Sequence, residues 1–161
     1  MRNHSHARAS TLLVLSTLLN LQCSVSTQTS LRLEVRPSSA VTAYLLDIDP
    51  LDRELYNADP ELKELAALMQ ARRREAYSLG PDVFLFLDRS RPVWGPHVVR
   101  SVETDADGAA RLDNLKPGDY WLMAFSREQV RDALWLRHVI IKEGRNEAVL
   151  ERGNALYLTP H

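Results

Sequence analysis

With 161 residues, 45% of them apolar, the chain has enough hydrophobic material for one domain with a proper core. Twenty Lys and Arg against 21 Asp and Glu leave a formal charge of −1, and the arginines are scattered, which excludes the basic face that a nucleic-acid partner requires. Cys23 is the only cysteine, so an intrachain disulfide is excluded as well.

The N-terminus reads as an export signal. Arg2 and Arg8 form a basic start, Thr11 to Leu21 is an apolar run too short to span a bilayer, and Ser24-Val25-Ser26 supplies the small-x-small pattern of a signal peptidase site. The expected signal peptide is therefore residues 1–26 and the expected single domain residues 27–161, secreted or periplasmic in the cell envelope. Cys23 stands where a bacterial lipoprotein carries its lipidated residue. Asn20, Leu21 and Gln22 before it depart from the Leu-small-small pattern of a lipobox, so a lipid anchor at Cys23 is the alternative to plain secretion.

Leu31, Leu33 and Val35 alternate with Arg32, Glu34 and Arg36, a half-buried strand stopped by Pro37 and followed by a turn at Ser38 and Ser39. Val41 to Ile48 is more continuously apolar and predicts a strand covered on both faces. Asp59 as N-cap, Pro60 at the first helical position, and Gly80 and Pro81 as a stop predict a helix over Pro60–Leu79. Leu62, Leu65, Ala66, Met69, Ala76 and Leu79 give it one apolar stripe. Val83 to Leu87, VFLFL, lacks alternation and reads as a strand apolar on both faces, with the helix lying across its sheet as a third layer. Asp88 to His97, with two prolines and a glycine around Trp94, reads as a loop. Val98 to Thr104 alternates; Asp107-Gly108 predicts a tight hairpin into a short strand ending at Asp113. Leu115 to Gly118 is a second turn, and Asp119 to Ser126 completes a three-stranded meander. Arg127 to Ala133 reads as one helical turn, Leu134 to Lys142 and Glu147 to Glu151 as strands, and Ala155 to Leu158 as an edge strand before Pro160.

Thr104, Asp105, Asp107, Gly108, Leu112, Leu115, Pro117, Gly118, Tyr120 and Leu122 resemble the T-D-x-x-G-x-(F/Y)-x-(I/L)-x-x-L-x-P-G-x-Y-x-L signature of carboxypeptidase-regulatory-like domains, which are similar to transthyretin in fold. The chain departs from that pattern at Ala110, where the family places Phe or Tyr. The resemblance implies a mainly β fold, a Greek-key β-sandwich of about seven strands, with the Pro-Gly turn and the following Tyr at one edge of the core. One α-helix at about residues 60–79 then counts as an insertion packed on a sheet. Many unrelated proteins use this sandwich, so the resemblance implies no activity.

Several chemistries are nearly present. Asp105-Ala106-Asp107-Gly108 begins like a calcium loop, but Ala110 stands where that loop needs glycine and Lys116 where it needs a bidentate Glu. His97, His138 and His161 have no metal-ligand spacing. The transthyretin-like fold includes hydroxyisourate hydrolase, whose resemblance would require a C-terminal Tyr-Arg-Gly-Ser; this chain has Leu158-Thr159-Pro160-His161. No serine sits in a G-x-S-x-G elbow. The expectation is a protein that is not an enzyme and uses no cofactor or metal.

Arg72, Arg73 and Arg74 are the one basic cluster, and a helix C-terminus explains them better than an anion patch does. Two functions remain: an envelope module contacting another protein or a surface polymer, and a module binding a small ligand or carbohydrate through aromatic residues. A flat apolar patch would favour the first and a concave row of aromatics the second. The candidate contact residues are Trp94, Arg91 and His97, since Pro92 and Pro96 restrict the backbone around a large rigid side chain. The competing expectation is that Trp94 folds back to fill the volume left by Ala110. Intact-mass measurement on material from the native envelope should show a mature chain starting near Thr27 without acyl groups; a chain starting at acylated Cys23 would reverse that expectation.

Overall fold

A computed structural model describes residues 28–36, 40–74, 76–128 and 131–158, with the side chains of residues 126–128, 131 and 132 left out of that description. The expected signal peptide, Cys23, the stop and turn at Pro37 to Ser39, and Pro160 lie outside the described residues. In chain order the elements are β1 (Ser30–Arg36), β2 (Thr42–Leu46), a 3-10 turn (Arg53–Tyr56), α1 (Pro60–Arg72), α2 (Asp82–Trp94), a second 3-10 turn (Gly95–His97), β3 (Val98–Glu103), β4 (Ala109–Leu112), β5 (Gly118–Glu128), β6 (Arg131–Ile141), β7 (Arg145–Glu151), a third 3-10 turn (Arg152–Asn154) and β8 (Tyr157–Leu158). The fold is mainly β, with two sheets and two helices.

One sheet has the order β4-β1-β7, with β1 antiparallel to β4 and parallel to β7. The other is antiparallel, in the order β3-β2-β5-β6-β8. Period-two alternation divides their side chains. Leu31, Leu33 and Val35 of β1 meet Ala43 and Leu45 of β2, Leu122 and Ala124 of β5 and Trp135 of β6 in a first core shared by both sheets. On the opposite face of the five-stranded sheet, Leu46, Met123, Leu134 and Leu136 form a second core with Leu62, Ala66 and Met69 of α1 and Val83, Phe86 and Leu87 of α2. The helices therefore make a third layer. Burying those four sheet residues contributes about 6 to 12 kcal/mol gross, at about 1.5 to 3 kcal/mol each, before conformational entropy opposes it.

The expected single helix is two. Asp59 caps α1 as the sequence predicts, its carboxylate accepting from the Leu62 N–H at 3.1 Å. The helix ends at Arg72 rather than Leu79, because the chain beyond it finds other partners: the N–H groups of Tyr77 and Leu79 donate to the carbonyls of Ala155 and Leu156 at 2.9 and 3.1 Å. Gly80 and Pro81 do not stop α1; Pro81 stands immediately before α2. The VFLFL segment is accordingly helix and not strand. Val83, Phe86, Leu87, Ser90 and Trp94 are buried at three- and four-residue spacing, whereas Leu85 in the middle of the run is exposed. The expected loop over Asp88 to His97 is the continuation of α2 through Pro92 and the 3-10 turn after it.

The expected meander also gives way. β3 belongs to the five-stranded sheet and β4 to the three-stranded one, so Asp107-Gly108 is a corner between sheets and not a hairpin. Thr104 holds the corner from one side: its N–H donates to the Val41 carbonyl at 3.0 Å, and its buried hydroxyl accepts from the Val41 N–H at 2.9 Å. Asp105 turns the chain, its carboxylate accepting from the N–H groups of Asp107 and Ala109 at 3.0 and 2.8 Å, and Gly108 takes φ 74°. Of the expected helical turn at Arg127 to Ala133, residues 127 and 128 end β5 and residues 131 to 133 begin β6, while residues 129 and 130 lie outside the described residues.

Tyr56 anchors the first 3-10 turn beneath α2. It is 1% exposed, donates its hydroxyl to the Pro50 carbonyl at 2.6 Å and meets Phe86 edge-on at 5.4 Å. Burial pushes its phenol from 10.0 up to about 12. The unfolded chain loses this proton first, so the contribution of Tyr56 to stability is complete below about pH 10 and falls as pH rises towards 12. The unfolding free energy of the parent, from denaturant titration, should fall in that window by about 1.4 kcal/mol per pH unit more than that of Tyr56→Phe; equal slopes would show that the phenol is not desolvated.

Candidate functional site

The outer face of β2 presents Thr42 and Tyr44, and the register places Phe125 of β5 beside Thr42. Tyr44 and Phe125 stack, with ring centroids 5.6 Å apart and planes at 29°. α2 crosses this face. Its buried stripe runs through Val83, Phe86, Leu87, Ser90 and Trp94, and a neighbouring stripe through Phe84, Leu87, Asp88 and Arg91 is turned to the side. Between that second stripe and Thr42, Tyr44 and Phe125 lies a cleft of about 340 Å³, with Trp94 also in its lining. A second hollow of about 540 Å³ at the C-terminal end of α2 shares Tyr44, Asp88, Arg91 and Trp94 with it and adds Pro92, Gly95 and Val98.

Trp94 is 4% exposed, donates its indole N–H to the Leu87 carbonyl at 2.9 Å and meets Tyr44 edge-on at 5.7 Å. It does not fill the volume left by Ala110: Ala110 packs against the first core and Trp94 belongs to the second. Arg91 is exposed, lines both hollows and has no ion-pair partner among the described residues. His97 lines neither. Its Nδ1 lies 3.0 Å from Asp47 Oδ1, and its carbonyl accepts from the Asp47 N–H at 3.2 Å. The structure thus brings Trp94 and Arg91 together and leaves His97 outside. Thr42, Tyr44, Phe84 and Phe125 are not among the residues that the sequence singles out; Phe84, Asp88 and Arg91 carry a helical spacing, which the unbroken apolar run VFLFL conceals.

Other polar clusters are structural. Arg73 pairs with Asp49 and lays its guanidinium 4.6 Å from the Trp121 ring centre, while Arg72 and Arg74 point to solvent, so the three arginines form no joint patch. His138 stands 5.4 Å from Trp121 and 3.1 Å from the Asp119 carboxylate. On the outer face of the three-stranded sheet a hollow of about 550 Å³ is lined by Arg32, Arg111, Arg145, Asp105 and Glu147. The register sets Arg32 between Arg111 and Glu147, so it faces a like charge on one side and an opposite charge on the other. Among the described residues no helix is long and apolar enough to cross a membrane.

No protein-family model matches the chain, and no curated protein matches it in sequence.

Trp94→Ala should lower stability by about 3 to 5 kcal/mol, because a buried indole and its hydrogen bond are lost together. His97→Ala, which breaks only an exposed contact, should stay within about 1 kcal/mol of the parent. Denaturant unfolding of the two variants checks both, and an unchanged midpoint for Trp94→Ala would mean that the indole is not part of the second core.

Proposed function

We propose that this chain is an exported, non-catalytic binding module of the cell envelope, built as a carboxypeptidase-regulatory-like, transthyretin-like β-sandwich with Greek-key connections and a two-helix insertion. Support for the family resemblance is local. Asp105 and Gly108 form a tight turn at their motif positions, and the Tyr120 hydroxyl donates back to the Lys116 carbonyl at 2.9 Å across the Pro-Gly turn. The export reading rests on the basic, apolar and small-residue segments of residues 1–26.

One observation favours ligand binding over a flat protein contact: the aromatic residues Tyr44, Phe84, Trp94 and Phe125 line a concave cleft, with the Arg91 guanidinium at its side. Such a site offers a flat apolar surface and a few donors, which orient and hold a small ligand. The second reading, contact with an envelope protein or surface polymer, is favoured by Leu68 and Leu85, which are 46% and 62% exposed on α1 and α2.

Amide chemical shifts separate the two. Titrating the mature protein with a panel of aromatic acids and oligosaccharides should move the resonances of Thr42, Tyr44, Arg91 and Phe125. Shifts confined to the neighbourhood of Leu68 and Leu85 on adding an envelope fraction would replace ligand binding with the contact reading. A cleft silent to the whole panel would overturn the proposal.

A further inference from the structure

We infer that the cleft between α2 and the five-stranded sheet takes a small aromatic carboxylate, an inference that rests on the cleft being the ligand site. The cleft is walled by rings: Tyr44 and Phe125 stack on the sheet side, and Phe84 and Trp94 face them from the helix side. Tyr44 already touches Phe125 and Trp94, with centroids 5.6 and 5.7 Å away, so a planar ring of the ligand lies against this aromatic cluster and not between Tyr44 and Trp94, in offset or edge-to-face contact with it. A cleft of about 340 Å³ holds one ring system with a short side chain and not a folded chain segment.

The polar groups decide the charge. The Trp94 indole N–H is already committed to the Leu87 carbonyl, so it does not serve a ligand. Among the described residues the Tyr44 and Thr42 hydroxyls form no hydrogen bond, and Arg91 has no ion pair. All three are donors lining one cleft. Asp88, the one carboxylate among the described lining residues, is engaged in an interaction of its own. A ligand that presents two acceptor oxygens on a planar group matches a guanidinium fork, and a carboxylate matches it with charge as well as geometry. A neutral amide fills the same space but offers Arg91 one acceptor and no charge. A ligand amine would set its charge against the guanidinium.

Three probes of equal size test this: indole-3-acetate, indole-3-acetamide and tryptamine, titrated by amide chemical shift into the parent, Arg91→Gln, Arg91→Lys and His97→Ala. The acid should bind the parent about ten- to a hundredfold more tightly than the amide or the amine, the range of a charge-assisted hydrogen bond. Arg91→Gln should bring the acid to the level of the amide, Arg91→Lys should restore part of the preference, and His97→Ala should change nothing. Arg91 is exposed, so these variants should unfold at the parental midpoint, which is measured alongside. Equal affinity of acid and amide at the cleft resonances overturns the anionic ligand and leaves the cleft as a ligand site. Tightest binding by the amine overturns it in favour of Asp88 setting the charge. If none of the three moves the cleft resonances, the aromatic carboxylate is excluded, and a response of the same resonances to an oligosaccharide would show that the cleft still binds.

Discussion

The fold depends on one sheet being buried on both faces. Leu122, Met123 and Ala124 are consecutive in β5, and none of them reaches solvent. Because successive side chains in a strand point to opposite faces, such a triplet cannot be accommodated by a two-layer arrangement alone. The three-stranded sheet covers Leu122 and Ala124, and something else must cover Met123. β2 repeats the demand with Leu45 and Leu46, both at 0% exposure. The helices answer it. Their docking is a consequence of what β2, β5 and β6 present outward, more than of surface pairs such as the Arg89–Glu61 fork, whose bonds of 2.8 and 3.0 Å are largely solvated and contribute little.

The cleft follows from where that cover ends. α2 buries one stripe against the sheet and has a second stripe beside it; the two share Leu87, and Trp94 of the buried stripe also lines the cleft. Trp94 therefore belongs to the core and to the wall of the cleft at once. Its indole hydrogen bond back to Leu87 fixes the ring inside its own helix, so the wall does not have to be ordered by a ligand. Tyr44 and Phe125 are held in the same way by their mutual stacking and by the sheet register. Under the proposed ligand reading, the ring contacts supply affinity for all ligands of similar shape and the Arg91 charge separates them.

Edges are handled locally. Along β7 the Val149 carbonyl accepts from Arg137 at 2.9 Å and from Asn154 at 3.1 Å, and the Glu151 carbonyl accepts from the Trp135 indole at 2.9 Å. Side chains of β6 and of the third 3-10 turn thus occupy backbone acceptors that a neighbouring strand would otherwise use, which also ties the two sheets together along that side.

Sequence alone determined what depends on neighbours along the chain. The alternation of β1, the two-sided burial of β2 and the start of α1 at Asp59 and Pro60 were all legible, because period-two patterning and a helix N-cap are local physics. The corner at Asp105 to Gly108 was legible as a turn for the same reason. What lay beyond it was not: a turn residue sets the local backbone and says nothing about which sheet receives the next strand, and that was decided by Thr104 bonding to Val41 and by β4 pairing with β1. VFLFL has no period, so it fits a doubly covered strand and a buried helix equally; packing on Met123 and Leu134 chose the helix. The end of α1 was decided by Ala155 and Leu156, whose carbonyls accept from Tyr77 and Leu79 across the fold. Of the site, Trp94 and Arg91 could be picked out from composition and rigidity, but Tyr44 and Phe125 became site residues only when α2 was laid across β2 and β5, because a cleft between distant segments has no signature in either of them.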